Sequence, residues 1–167
     1  MFYRTLLLAL LFTTFSSALG LAQEIDQPKF VVFAGAGTSP YSGNYRGAIQ
    51  FGASYDQTVF RGRAGTGFLF EGGYVGPWQS FKAGSAIFSA NYIGSLADQR
   101  RNRIAFLTGG YTRLFGTGNA INFGGGVDFL LPRSKAIRVE VRDYFQFSGR
   151  TAHNVGLRVG FVRFIPD

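Results

Sequence analysis

From Lys29 onward the chain alternates apolar and polar side chains with period two, broken at intervals by turn-forming residues. Such alternation is the signature of strands with one apolar face. It predicts eight of them: 29–38, 47–56, 59–71, 80–93, 103–115, 120–131, 136–147 and 153–165. Most are near the roughly 9–11 residues with which a tilted strand crosses a bilayer. Tight turns are expected at Gln57-Thr58 and at Pro132-Arg133-Ser134-Lys135. Wider connections are expected at Ser39–Arg46, across Gly72-Gly73-Tyr74-Val75-Gly76-Pro77, and from Gly94 to Asn102.

The faces separate cleanly in most strands. In 136–147, Ile137, Val139, Val141, Phe145 and Phe147 oppose Arg138, Glu140, Arg142 and Tyr144. In 120–131, Ile121, Phe123, Val127 and Phe129 oppose Asn122, Gly124, Gly126 and Asp128. In 47–56, Ile49, Phe51, Ala53 and Tyr55 oppose Gln50, Gly52, Ser54 and Asp56; in 153–165, Val155, Leu157, Val159 and Phe161 oppose Asn154, Gly156, Arg158 and Gly160. In 59–71 the reading sets Phe60, Ala64, Phe68 and Phe70 against Arg61, Arg63 and Glu71. A half-buried soluble sheet also alternates, with its apolar face inward. Here, however, the polar face alternates charge with glycine rather than with the Lys, Glu and Thr of a wetted strand. That suits a narrow interior in which glycine makes room for long Arg and Glu side chains. An eight-stranded barrel has space inside only for side chains.

Composition then narrows the setting. The chain has 24 Gly in 167 residues, 17% aromatics, no Cys and one His. Glycine at about twice ordinary usage without a collagen period, together with abundant aromatics, argues for a folded glycine-rich sheet. Without Cys there is no disulfide, thiolate metal site or lipidated cysteine. The first residues read as an address. Arg4 precedes an apolar run from Thr5 to Phe15, and Gly20 and Ala22 fit the positions before cleavage at Gln23. The expected organisation is a signal peptide at 1–22, a lead-in at 23–28 and a barrel domain at 29–167. No later segment is long and apolar enough for a membrane helix. An exported sheet with an apolar, aromatic outside and a polar inside fits an outer-membrane barrel, which must close because lipid offers no partner for free backbone groups. The fold class is therefore all-β, an eight-stranded antiparallel up-and-down transmembrane barrel. The alternative at the level of the fold is a soluble exported barrel.

The segments Phe123–Phe129 and Arg138–Tyr144 resemble the penultimate hairpin of small bacterial outer-membrane β-barrel proteins, and His153–Phe164 resembles their last strand. Asn154, Gly156, Val159 and Phe161 match the pattern of that family's assembly signal. The resemblance is to the OmpA/OmpX-type eight-stranded barrel. It implies outer-membrane lipid, lipopolysaccharide and the export and assembly machineries as partners. The chain departs from the pattern in running on to Ile165-Pro166-Asp167, where the family usually ends on an aromatic residue, and the expectation is a barrel alone, without a following peptidoglycan-binding domain.

Candidate chemistry is sparse. The charges assigned to the lumen are Arg61, Arg63, Glu71, Asp128, Arg138, Glu140, Arg142 and Arg158. Buried ions must pair, so a structural plug is expected. The excess of Arg over acid leaves open a gated pore with weak anion preference. His153 invites comparison with a lipid A-modifying hydrolase; Asp143 and Ser148 are near in sequence, but no triad spacing is visible. No phosphate-binding or nucleotide-binding glycine motif is present, no metal-ligating cluster is evident, and no cofactor is expected. The basic residues do not gather into one nucleic-acid-binding face. Tyr41, Tyr45, Tyr74 and Trp78, placed on outer loops, are candidates for a contact surface of unknown partner. The expectation is a non-enzymatic protein with a structural or surface-interaction role.

Overall fold

The computed structural model describes residues 25–41, 44–98, 101–147 and 152–165. They form eight strands: β1 (Ile25–Tyr41), β2 (Asn44–Arg61), β3 (Ala64–Pro77), β4 (Ser85–Asp98), β5 (Arg103–Leu114), β6 (Gly118–Leu131), β7 (Lys135–Gln146) and β8 (Ala152–Phe164). Each strand pairs antiparallel with the next, and β1 pairs with β8, from Lys29↔Phe164 to Thr38↔Val155. The sheet is a closed up-and-down barrel. The first residue of β1 and the last of β8 share one end, here the near end, with the β2–β3, β4–β5 and β6–β7 turns. The other four connections make the far end.

Several boundaries differ from the sequence reading. β1 begins at Ile25, inside the stretch expected as a lead-in. The turn expected at Gln57-Thr58 lies at Gly62-Arg63 instead, where Gly62 takes φ 73°. A two-residue hairpin needs a left-handed residue, which glycine supplies without strain. Thr58, expected in the turn, points into the barrel and is buried beside Asp56, the inward residue at the end of the strand read as 47–56. The Gly72–Pro77 stretch is strand, so the β3–β4 connection is 78–84, with a single 3-10 turn at Phe81–Ala83. β4 runs on to Asp98, which shortens the near-end connection expected over Gly94–Asn102.

The alternation places apolar side chains outward around the whole circumference. Phe68, Leu107, Phe123 and Leu157 are 60%, 70%, 59% and 55% exposed. In water a continuous apolar belt of this size would promote association. The inside is the reverse, with Lys29, Asp56, Glu71, Asp128, Arg138, Glu140, Arg142 and Arg158 all buried. This distribution is that of a sheet solvated by lipid, and it removes the soluble alternative. Apolar clusters fill the interior at both ends, with Leu69, Ile93 and Phe106 packed as a third cluster between them. Val31, Phe60, Ile104, Ala136, Val162 and Phe164 pack at the near end, and Val75, Ile87, Leu114, Ala120 and Tyr144 toward the far end.

Candidate functional site

The inward positions of β1, β2, β6 and β7 bring together Lys29, Asp56, Asp128 and Arg138 near the floor of the barrel. Arg138 forks onto Asp128, donating from Nε to Oδ1 at 2.7 Å and from Nη2 to Oδ2 at 2.9 Å. Nη2 also donates to Asp56 Oδ2 at 3.0 Å. Thr58 Oγ1 donates to the other Asp56 oxygen at 2.5 Å. Lys29 Nζ sits 3.6 and 3.7 Å from the two aspartates. Aromatic faces line the cations: Arg138 lies 4.3 Å from the Phe106 ring centroid, and Lys29 5.6 Å from those of Phe60 and Phe164. A planar guanidinium suits both bidentate pairing and stacking.

A second cluster occupies the middle. Arg158 forks onto Glu71, with Nη1 and Nη2 each donating at 3.0 Å, and Nη2 also donates to Glu140 Oε2 at 2.8 Å. Tyr144 donates its hydroxyl to Glu71 Oε1 and accepts from Arg158 Nη1 at 2.9 Å. Arg142 donates to Asn122 Oδ1 at 2.5 Å, and its Nη2 lies 2.5 Å from Glu140 Oε1. Asn122 then donates to Asn91 and Thr112 at 2.6 and 2.8 Å, extending the network toward the far end. Glycine makes the room these side chains need. A Cβ at Gly124 would stand 2.9 Å from both Arg142 Nε and Glu140 Oε1, and one at Gly156 would stand 2.5 Å from Gln50 Nε2.

Glu71, Asp128, Arg138, Glu140, Arg142 and Arg158 are therefore where the alternation placed them. Arg61 and Arg63 are not: both are exposed beside the near-end turn. Moving the turn from Gln57-Thr58 to Gly62-Arg63 reverses the face of Arg61 and takes Arg63 out of the strand. The same shift sends Phe60 inward, where it is 5% exposed. Lys29 and Asp56 take the missing places. Asp56 is on the polar face read for 47–56; Lys29 opens the strand read as 29–38, whose alternation is less clean. The corrected set has four cations and four carboxylates, two of each per cluster. The cationic excess that favoured an anion-selective pore is gone.

Outside these clusters, a cleft of about 220 Å³ opens at the near end over Phe60, Ile104, Leu130 and Phe164, with Lys29 in its wall. At the far rim His153 Nδ1 and Asp143 Oδ2 are 2.7 Å apart, and the imidazole packs on Phe145. The pairing was not visible in sequence; the register Phe145↔His153 and Asp143↔Val155 creates it. Ser148, the serine near them in sequence, lies outside the described residues. Tyr74, read as a loop residue, is an outward strand residue stacked on Phe51, and its hydroxyl donates to the Phe81 carbonyl at 2.9 Å. Trp78 is 69% exposed in the 78–84 connection. Tyr41 and Tyr45 belong to β1 and β2, and their side chains lie outside the described ones.

No protein-family model matches the chain, and no curated protein matches it in sequence. Solved structures do match. Neisserial surface protein A aligns at a TM-score of 0.60 and 11% identity, over 83% of this chain and 97% of that one. The N-terminal β-barrel domain of Pseudomonas aeruginosa OprF aligns at 0.53 and 13%, over 84% and 99%. The fold is that of a small outer-membrane β-barrel. Within this barrel the four residues of the expected assembly pattern divide between faces. Asn154 accepts from Ser39 Oγ at 2.5 Å inside, Gly156 lies under Gln50, and Val159 and Phe161 are 52% and 46% exposed outside.

Proposed function

We propose that the chain is an exported, non-enzymatic protein of the bacterial outer membrane whose lumen is a structural plug. Its role is then structural or surface-directed, carried by the wall and the rims. The observation behind this reading is the filled interior: two self-neutralising ion clusters between apolar layers. An open channel would need a continuous polar path, and each ion in it would have to break buried charge pairs. Residues 1–22 act as the cleaved signal, and Asn154, Gly156, Val159 and Phe161 act in recognition by the assembly machinery. Planar-bilayer recording tests the plug. Reconstituted protein should give no stable unitary conductance, and a reproducible anion-favouring step would replace the plug with the pore.

A second reading has one observation in its favour, the His153–Asp143 contact at the lipid-facing rim. A carboxylate holding an imidazole is two-thirds of an acyl-transfer triad. On this reading expression would shorten lipid A by an acyl chain, and His153→Ala would abolish the change. Unaltered lipid A mass leaves the first reading in place.

A further inference from the structure

We propose that the near end of the barrel is a binding surface for anionic phospholipid headgroups. The proposal rests on the outer-membrane reading, in which both ends of the barrel domain stay on the side from which the chain entered. The near end then faces the phospholipid leaflet. Arg61 and Arg63 lie at the β2–β3 turn, Arg101 and Arg103 at the β4–β5 connection, and Arg133 and Lys135 at the β6–β7 turn, with Arg163 beside them near the end of β8. Among the described side chains at this end one carboxylate answers them: Asp98, shared at 3.7 and 3.8 Å by Arg101 and Arg103.

The decisive feature is a cross-strand pair. Lys135 of β7 and Arg163 of β8 stand directly opposite each other. Both are on the outward face, and among the described residues no carboxylate pairs with either. Like charges in this position destabilise a sheet. Arg133, in the left-handed region at φ 67°, adds a third positive charge two residues from Lys135. A shared anion would convert this repulsion into attraction. Geometry says where the anion would be. Phe161 and Ile165, both exposed, flank Arg163 on the same face. An arginine at this position can lay its stem along the apolar wall and carry its guanidinium to the interface, the behaviour of snorkelling cations. The far end is different. Arg46 donates to Gln79 at 2.8 Å and Arg113 to Asn119 at 2.7 Å, and the remaining described cation there, Lys82, is exposed in the 78–84 connection.

The test uses the full barrel in detergent, with phosphatidylglycerol or phosphatidylcholine added and retained lipids counted by native mass spectrometry. Wild type should retain phosphatidylglycerol in preference, and the preference should fall in high salt as screening shortens. Lys135→Gln with Arg163→Gln should weaken retention about 25-fold, at about fivefold per cation. Lys82→Gln with Arg113→Gln at the far end should leave it unchanged. Equal retention of the two lipids, an undiminished near-end variant, or a loss confined to the far-end variant would each overturn the proposal; the last would point to lipopolysaccharide instead. A heat-dependent gel shift is read on every sample. No shift in wild type defeats the membrane-barrel reading and the proposal with it, whereas a normal shift without lipid preference defeats the proposal alone.

Discussion

In the near-end cluster one guanidinium meets two aspartates, all three of its bonds are between 2.7 and 3.0 Å, and aromatic rings cover the cations. In the mid-barrel cluster two guanidiniums share two glutamates and a phenol, and the fit is looser. Arg142 Nε and Nη2, Arg158 Nε and Glu140 Oε1 have no aligned hydrogen-bond partner in the protein, nor has either amide atom of Gln50 nearby. Near the floor only Lys29 Nζ is in that position. The two clusters balance charge equally well but differ in saturation. The near-end group is a closed set in which each member is needed. The middle group is a redundant mesh in which a lost partner has a substitute within reach.

The largest effect should come from opening the closed set. Arg138→Ala leaves Lys29, at more than 3.5 Å from each, as the one cation beside Asp56 and Asp128, with Thr58 still donating to Asp56. Removing one partner of a buried pair costs about 3–5 kcal/mol, and urea unfolding of the vesicle-inserted barrel should show a loss in that range. A loss below about 1 kcal/mol would mean that the near-end cluster is as forgiving as the middle one.

Glu71→Gln tests the mesh. Arg158 keeps Glu140 at 2.8 Å, and Tyr144 keeps an amide oxygen as acceptor. The expected cost is about 1.5–3 kcal/mol, the range of one charged hydrogen bond. If Glu71→Gln proves costlier than Arg138→Ala, the order of the two clusters is reversed. Gly124→Ala probes the same mesh from the wall. Its new methyl would meet Arg142 Nε and Glu140 Oε1 at 2.9 Å, and overpacking of this kind costs about 1–3 kcal/mol. A redundant mesh can shift to accommodate it, so the result should fall at the low end.

The contrast also explains what the sequence disclosed. The mid-barrel residues lie on β7 and β8, whose alternation is unbroken, and on β3 at Glu71, whose inward parity follows from outward Phe68 and Phe70. Their faces could be read without knowing any turn. The near-end residues Lys29 and Asp56 lie where face and boundary are entangled. A polar-lined barrel places polar residues two apart inside its strands, as with Asp56 and Thr58, and that spacing imitates a turn. The signal that separates the cases was Gly62, the one residue nearby able to take a left-handed turn without strain. Pairings between strands, such as Arg158 to Glu71 across the barrel or His153 to Asp143 on neighbouring strands, depend on closure and register, to which no local pattern speaks.

The smallest effect is expected where the sequence reading and the structure part most sharply. If Arg61 and Arg63 lined the lumen, their removal would strip charge from a low-dielectric interior and shift stability by several kcal/mol. The structure instead leaves both exposed beside Gly62, with no ion pair to either among the described residues. Exposed substitutions away from special features change stability by about 0.5 kcal/mol or less. Arg61→Gln with Arg63→Gln should therefore unfold in urea within that margin of wild type. Gly62→Val should not, because a β-branched residue is strained at φ 73°. A neutral glycine variant beside a destabilised double arginine variant would return the turn to Gln57-Thr58 and the two arginines to the lumen. The opposite outcome fixes the turn at Gly62 and leaves Lys29 and Arg138 as the cations of the near-end cluster.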